Sequence, residues 1–177
     1  HAGRVADAVA QQAVTSSEGG KRLRALLTLD AFRAFAPQDV AERDMDAVLD
    51  LACAIEVFQT GALVHDDIID DSDLRRGKPT NHKVYGETLA VLAGAAMQPE
   101  AFRLPAEAPC LPAGNRLKAV RTLARACGAD GMVGGQVLDT VYDVRDAAGL
   151  TVLNRLKTGV MISAAAELGC IASEMPA

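Results

Sequence analysis

His65-Asp66-Asp67-Ile68-Ile69-Asp70-Asp71-Ser72-Asp73-Leu74-Arg75-Arg76-Gly77-Lys78-Pro79-Thr80 sets five carboxylates within eight residues and follows them with two arginines. On a helix Asp66 and Asp70 stand one turn apart and about 40° apart around the axis, with Asp67 about 100° from Asp66. Like charges at that spacing destabilise an isolated helix by about 0.2–0.5 kcal/mol per pair, so the acids call for cations. Hard divalent ions fit, because Mg²⁺ joins one or two carboxylates to substrate phosphates. The guanidinium forks suit the phosphate oxygens themselves. The stretch reads as a helix end that holds a metal and a diphosphate.

Composition agrees with a helical fold. Half of the 177 residues are apolar, only 3% are aromatic and Trp is absent, so the core must come from Ala, Leu, Val and Ile. Ala and Leu are strong helix formers, which points to an all-α protein. The length suits one domain or a large piece of a bigger one. A net charge of −5 argues against nucleic-acid binding. Cys53, Cys110, Cys127 and Cys170 show no metal-ligand spacing, and they read as reduced, buried thiols of a cytoplasmic protein, with Cys53 and Cys170 in apolar helical patterns. No secretory signal and no apolar run near the roughly 20 residues of a bilayer span is expected. The longest candidate, 47–64, is broken by Asp50 and Glu56 and reads as a buried amphipathic helix.

Periodicity and breakers predict helices over 3–14, over 21–35, from about residue 44 into the acidic cluster, and over 85–97. The second is expected to bury Leu23, Leu26, Leu27, Ala31 and Phe35. Gly77 and Pro79 should end the acidic element or a turn after it. Pro99, Pro105, Pro109 and Pro112 predict a loop over 98–115. Helix resumes over 116–142, interrupted near 128–135, and a final helix covers 151–173 after a weak linker at 146–149. No sustained strand alternation and no internal repeat is present.

Three further motifs flank the acidic one: Gly19-Gly20-Lys21-Arg22-Leu23-Arg24, Gly135-Gln136-Val137-Leu138-Asp139, and Lys157-Thr158. In this order they resemble the G-G-K-x-x-R, D-D-x-x-D with R-R-G-x-P-x, G-Q-x-x-D and K-T motifs of the trans-isoprenyl diphosphate synthases, the polyprenyl synthetase family, and the chain is geranylgeranyl diphosphate synthase-like. A lone D-D-x-x-D is weak, but four motifs in order are specific. The resemblance covers the chain apart from its Pro-rich segment. It implies an all-α isoprenoid synthase-type bundle around a central cavity, usually homodimeric, that elongates an allylic diphosphate with isopentenyl diphosphate. It implies Mg²⁺ on Asp66 and Asp70 with Asp67 in support, and Asp139 as a further metal residue, on a facing helix with Gln136. It places isopentenyl diphosphate at Lys21, Arg24, Gln59 and Arg76, and the allylic diphosphate at Arg75, Lys157, Thr158 and Gln136. Asp66, Asp67, Asp70, Arg75 and Lys157 then form the catalytic set.

Each piece has a plainer reading. The acidic run alone could be a solvated helix end. An EF-hand fails for want of Gly at loop position six, and Gly19-Gly20-Lys21 lacks the flanking residues of a P-loop. His65 reads as structural or as a support behind the metal ligands. A terpene cyclase would not need the isopentenyl diphosphate residues, whereas a non-catalytic prenyl-diphosphate-binding partner subunit remains an alternative.

Product length follows from the residues before Asp66. Gly61 and Ala62 are small where bulky aromatics in the family close the pocket at farnesyl length, so geranylgeranyl or longer is expected, with Phe58 a candidate floor. Two departures stand out. The family's second D-D-x-x-D is not found between Thr158 and Ala177, and Leu92-Ala93-Gly94-Ala95 replaces the usual L-A-G-D. With a first residue other than Met, these lead us to expect the N-terminal and central part, 1–177, of one longer synthase domain.

Overall fold

The structure is a computed structural model that describes residues 2–38, 45–142 and 144–174. It is helical almost throughout. The helices are α1 (Ala2–Ser17), α2 (Leu23–Phe35), α3 (Met45–Ile69), α4 (Asn81–Tyr85), α5 (Glu87–Glu107), α6 (Ala113–Cys127), α7 (Met132–Thr140), α8 (Ala147–Asn154) and α9 (Val160–Ser173). A two-stranded hairpin, β1 (Leu74–Arg75) with β2 (Lys78–Pro79), lies between α3 and α4. The expected start of the third helix near residue 44 falls outside the described residues.

The chain divides into two compact units, one of His1–Arg22 with Glu56–Arg103 and one of Leu23–Ile55 with Leu104–Ala177. The second is built around α2 and α9. Gly169 lets these helices meet almost backbone to backbone, since a Cβ there would lie 2.8 Å from Ala31 Cβ and 2.9 Å from Phe32 N. Thr28 donates its hydroxyl to Ala165 O at 3.0 Å across the same contact. The buried face of α2 is therefore Thr28, Ala31 and Phe32, and the expected stripe is wrong in part: Leu23, Leu26 and Phe35 are exposed. Thr28 and Ala31 hold the contact itself, because close approach of two backbones needs small side chains, and Phe32 is buried beside them. Asn115 ties α6 to α9 by donating to Ile171 O at 3.0 Å, and Met161, Leu168 and Leu123 are fully buried.

In the first unit, α3 and α5 also approach through glycines. A Cβ on Gly61 would lie 3.0 Å from both Gly94 O and Met97 Cβ. His65 Nε2 lies 3.0 Å from Val91 O over Gly94, which gives that histidine the structural place expected of it. Phe58 meets Phe102 edge to face with ring centroids 6.2 Å apart.

The structure corrects the loop expected over 98–115. Helix α5 runs to Glu107 through Pro99 and Pro105, and only the stretch between Glu107 and Ala113 is irregular. A mid-helix proline costs about 3 kcal/mol. Burial of Met97 and Ala101 and the Phe58–Phe102 contact oppose that cost. The thiols also differ from expectation: Cys53 is exposed, with buried Ala52 and Ala54 on either side, Cys110 is exposed in the irregular stretch before α6, and Cys170 is only partly buried. Cys127 is buried, and its thiol is pushed up to about 12 by that burial.

Two helical stretches, Met45–Ile69 and Ala147–Ser173, are long and apolar enough to cross a membrane by length and composition, which the sequence reading had not expected. Two charges in 18 residues do not lower the mean hydropathy of α3 enough. More than half of that window is buried within the protein, as in a core helix.

Candidate active site

The acidic motif closes α3. Asp71 adopts φ +46°, Ser72 N–H donates to Asp67 O at 2.9 Å, and Asp71 N–H donates to Ile68 O at 3.2 Å. That bond pair with a left-handed residue is a Schellman stop, with Asp where Gly usually sits. Asp66, Asp67 and Asp70 therefore occupy the negative end of the helix dipole, an unfavourable place for anions. Arg75 offsets it. Its Nε donates to Asp67 Oδ1 at 2.8 Å, and its Nη2 lies 2.5 Å from Asp67 Oδ1 and 3.3 Å from Asp66 Oδ2. Asp67 is buried, and its hydrogen bond holds the Arg75 guanidinium above even its usual high pKa.

The hairpin explains how Arg75 reaches back. Arg76 and Gly77 have φ +55° and +77°, as the two central residues of a type I′ turn require, and they register Arg75 opposite Lys78. Arg76 is a non-glycine residue in a left-handed conformation, which is uncommon. Its Nη1 donates to Glu18 O at 3.0 Å. A Cβ on Gly20 would lie 3.0 Å from that same Nη1, so the Gly-Gly motif leaves room for the Arg76 guanidinium. Lys21 is exposed. Gln59 is half-buried, with its Oε1 out of water and without a hydrogen bond. A cavity of about 100 Å³ lies behind the motif, lined by Ser16, Thr60, Asp67, Arg75, Lys78 and Asn81 among others.

In the second unit, Lys157 and Asp139 form a close ion pair, and Gln136 Nε2 donates to Thr140 Oγ1 at 3.3 Å. Lys157 and Thr158 sit in a π-helical turn, Arg155–Gly159, between α8 and α9. Such turns are rare and gather at functional sites. Gly135 permits the arrangement, since its Cβ would lie 2.6 Å from Lys157 Cα. Thr158 is exposed and Arg24 half-buried. The sequence reading missed Glu18 and Lys78, because neither belongs to the fixed letters of a motif. Among the described residues no three His, Cys, Asp or Glu side chains converge to hold a metal. Two carboxylates with a phosphate suffice for Mg²⁺, so the Asp66 and Asp70 donor set fits that ion.

The architecture is that of the isoprenoid synthase helical fold: a geranyltransferase from Legionella pneumophila superposes with a TM-score of 0.85 at 31% identity, over 96% of this chain and 60% of that one. The chain belongs to the polyprenyl synthetase family, whose model matches residues 6–177. It is 41% identical over 159 residues to the farnesyl diphosphate synthase of Geobacillus stearothermophilus, covering 86% of this chain and 52% of that protein. It is 42% identical over 172 residues to the chloroplastic geranylgeranyl pyrophosphate synthase 3 of Arabidopsis thaliana, covering 91% and 46%. The chain spans about half the length of the curated relatives it matches.

Proposed function

We propose that this chain belongs to a trans-prenyl diphosphate synthase that joins isopentenyl diphosphate head to tail with an allylic diphosphate. The observation that carries this reading is the Arg75 guanidinium held against Asp66 and Asp67 at the end of α3. It puts a permanent cation beside the carboxylates that would hold Mg²⁺, so phosphate and metal can meet at one place. In this reading the allylic C–O bond breaks with its electron pair leaving on diphosphate, and Arg75 and Lys157 stabilise the growing charge. The motifs assign Thr158 and Gln136 to the allylic diphosphate as well. Lys21, Arg24, Arg76 and Gln59 hold isopentenyl diphosphate, and the half-buried Gln59 amide can turn its NH₂ toward a phosphate oxygen. The double bond then attacks the allylic carbon, and the departing diphosphate takes the proton. Asp66 and Asp70 would hold Mg²⁺, which supplies Lewis acidity at the leaving group. Asp67 supports them by holding Arg75, and Asp139 does the same for Lys157.

Both units belong to one synthase domain in this reading, and the enzyme is a cytoplasmic homodimer without a membrane span. A non-catalytic partner subunit is not favoured, because the matched relatives are named as synthases and the motif residues are intact. The product is geranylgeranyl diphosphate or longer. On α3, Ala62 lies about 40° from Asp66 and Gly61 about 140°. The ruler is therefore Ala62, with Phe58 deeper as the floor, while Gly61 is small because α5 packs on it. Incubating the whole protein with Mg²⁺, isopentenyl diphosphate and allylic primers tests the activity, and no prenyl product would overturn it. Ala62→Phe should shorten the main product by an isoprene unit, read by mass spectrometry; an unchanged product would remove the ruler.

A further inference from the structure

Glu18 makes two separate contacts to the hairpin, one on each side of Gly77. Its backbone carbonyl accepts Arg76 Nη1 at 3.0 Å, and its carboxylate binds Lys78 Nζ at 2.6 Å. Lys78 holds that carboxyl below the usual range by hydrogen bond and charge. Arg76 itself sits at φ +55°, a conformation the surroundings must enforce, and the missing Cβ of Gly20 leaves its guanidinium room. Lys78 is paired across the hairpin with Arg75, so tethering Lys78 fixes the turn from its second strand.

We propose that Glu18 is a positioning residue: through Lys78 it docks the hairpin on the Gly19-Gly20 loop and so aims the Arg76 guanidinium at isopentenyl diphosphate. The inference rests on the functional reading above, which assigns Arg76 that substrate, and it adds two residues that are not fixed letters of any motif. Glu18 acts against simple electrostatics. As a bare anion beside the pocket it would weaken phosphate binding, and its removal would help. As a tether its removal hurts.

Isothermal titration of the whole protein with isopentenyl diphosphate, and separately with an unreactive thiolo analogue of an allylic diphosphate, decides between these. Glu18→Gln should weaken isopentenyl diphosphate binding about two- to fivefold, the scale of an exposed ion pair. The allylic analogue should bind as before, since Arg75 has its own hold on Asp67. Lys78→Gln should match Glu18→Gln, and the double variant should lose no more than either single one, because one contact is being removed. The proposal is overturned if Glu18→Gln binds isopentenyl diphosphate equally or more tightly, or if both ligands weaken alike. It is also overturned if Lys78→Gln alone loses much more, which would make Lys78 a direct phosphate ligand. A wild-type protein that binds neither diphosphate would instead overturn the functional reading itself.

Discussion

Gly135 shows how a single position can hold a site without touching its chemistry. It is buried in α7, and a methyl group there would collide with Lys157 Cα at 2.6 Å and Leu156 C at 2.8 Å. Those atoms are backbone of the π-helical turn and cannot swing aside as a side chain would. Gly135→Ala should cost about 1–3 kcal/mol by overpacking, read as a lower urea midpoint with unchanged slope. A midpoint equal to wild type would show that the turn relaxes freely. The sequence displayed this glycine within a motif but not its reason, which is a contact with residues some twenty positions away. The acidic cluster was more legible, because local charge density alone demands a cation and Arg75 was close at hand. Cys53 was not legible: its neighbours are apolar on both sides, and only the packed helix shows that it faces out.

At the scale of an element, the end of α3 is held by a second set of charges. Lys83 Nζ lies 2.8 Å from Asp71 Oδ1 and 3.0 Å from Asp73 Oδ1. The hydrogen bond and charge of Lys83 lower the Asp71 pKa, and the two aspartates raise that of Lys83. A depressed carboxylate contributes stability that is present above its unfolded value, about 3.9, and is lost as pH falls through the lower folded value. The stability that wild type holds over Lys83→Gln should therefore be present at pH 7 and vanish in acid, once the pH has fallen below the depressed Asp71 value. Denaturant midpoints of both proteins at pH 7 and in acid check this; a gap that persists in acid would assign it to packing of the lysine stem. The effect is small because the pair is solvated. Helix α5 teaches the opposite lesson about legibility. Pro99 and Pro105 are strong local signals for a loop, yet buried Met97 and Ala101 keep the segment helical. Propensity is local information, and packing overrules it where enough side chain is buried.

For the molecule as a whole, helical class and family were legible, whereas the division into two units was not. Periodicity reports which face of a helix is apolar, but not which half of a long helix belongs to which cluster. Residues 45–55 of α3 fall in one unit and 56–69 in the other. The motifs divide likewise, with Asp66, Asp70, Arg75 and Arg76 in one unit and Gln136, Asp139, Lys157 and Thr158 in the other. In the proposed function metal and diphosphate bind as one linked ligand. Two carboxylates on one helix face hold hydrated Mg²⁺ weakly, and diphosphate alone must face Asp66 and Asp67. Together each supplies what the other lacks, and a ligand that binds only the folded state stabilises it by about 2.7 kcal/mol at a hundred times its dissociation constant. For a chain of this size that corresponds to a rise of about 5–10 °C in Tm. Inorganic diphosphate plus Mg²⁺ should thus raise Tm by more than the sum of the two added singly. Asp66→Asn or Asp70→Asn should abolish the excess, while Asp139→Asn should leave most of it, because its carboxylate serves Lys157. Strictly additive shifts, or an excess that survives Asp66→Asn, would separate the acidic motif from the metal and leave Arg75 its only function.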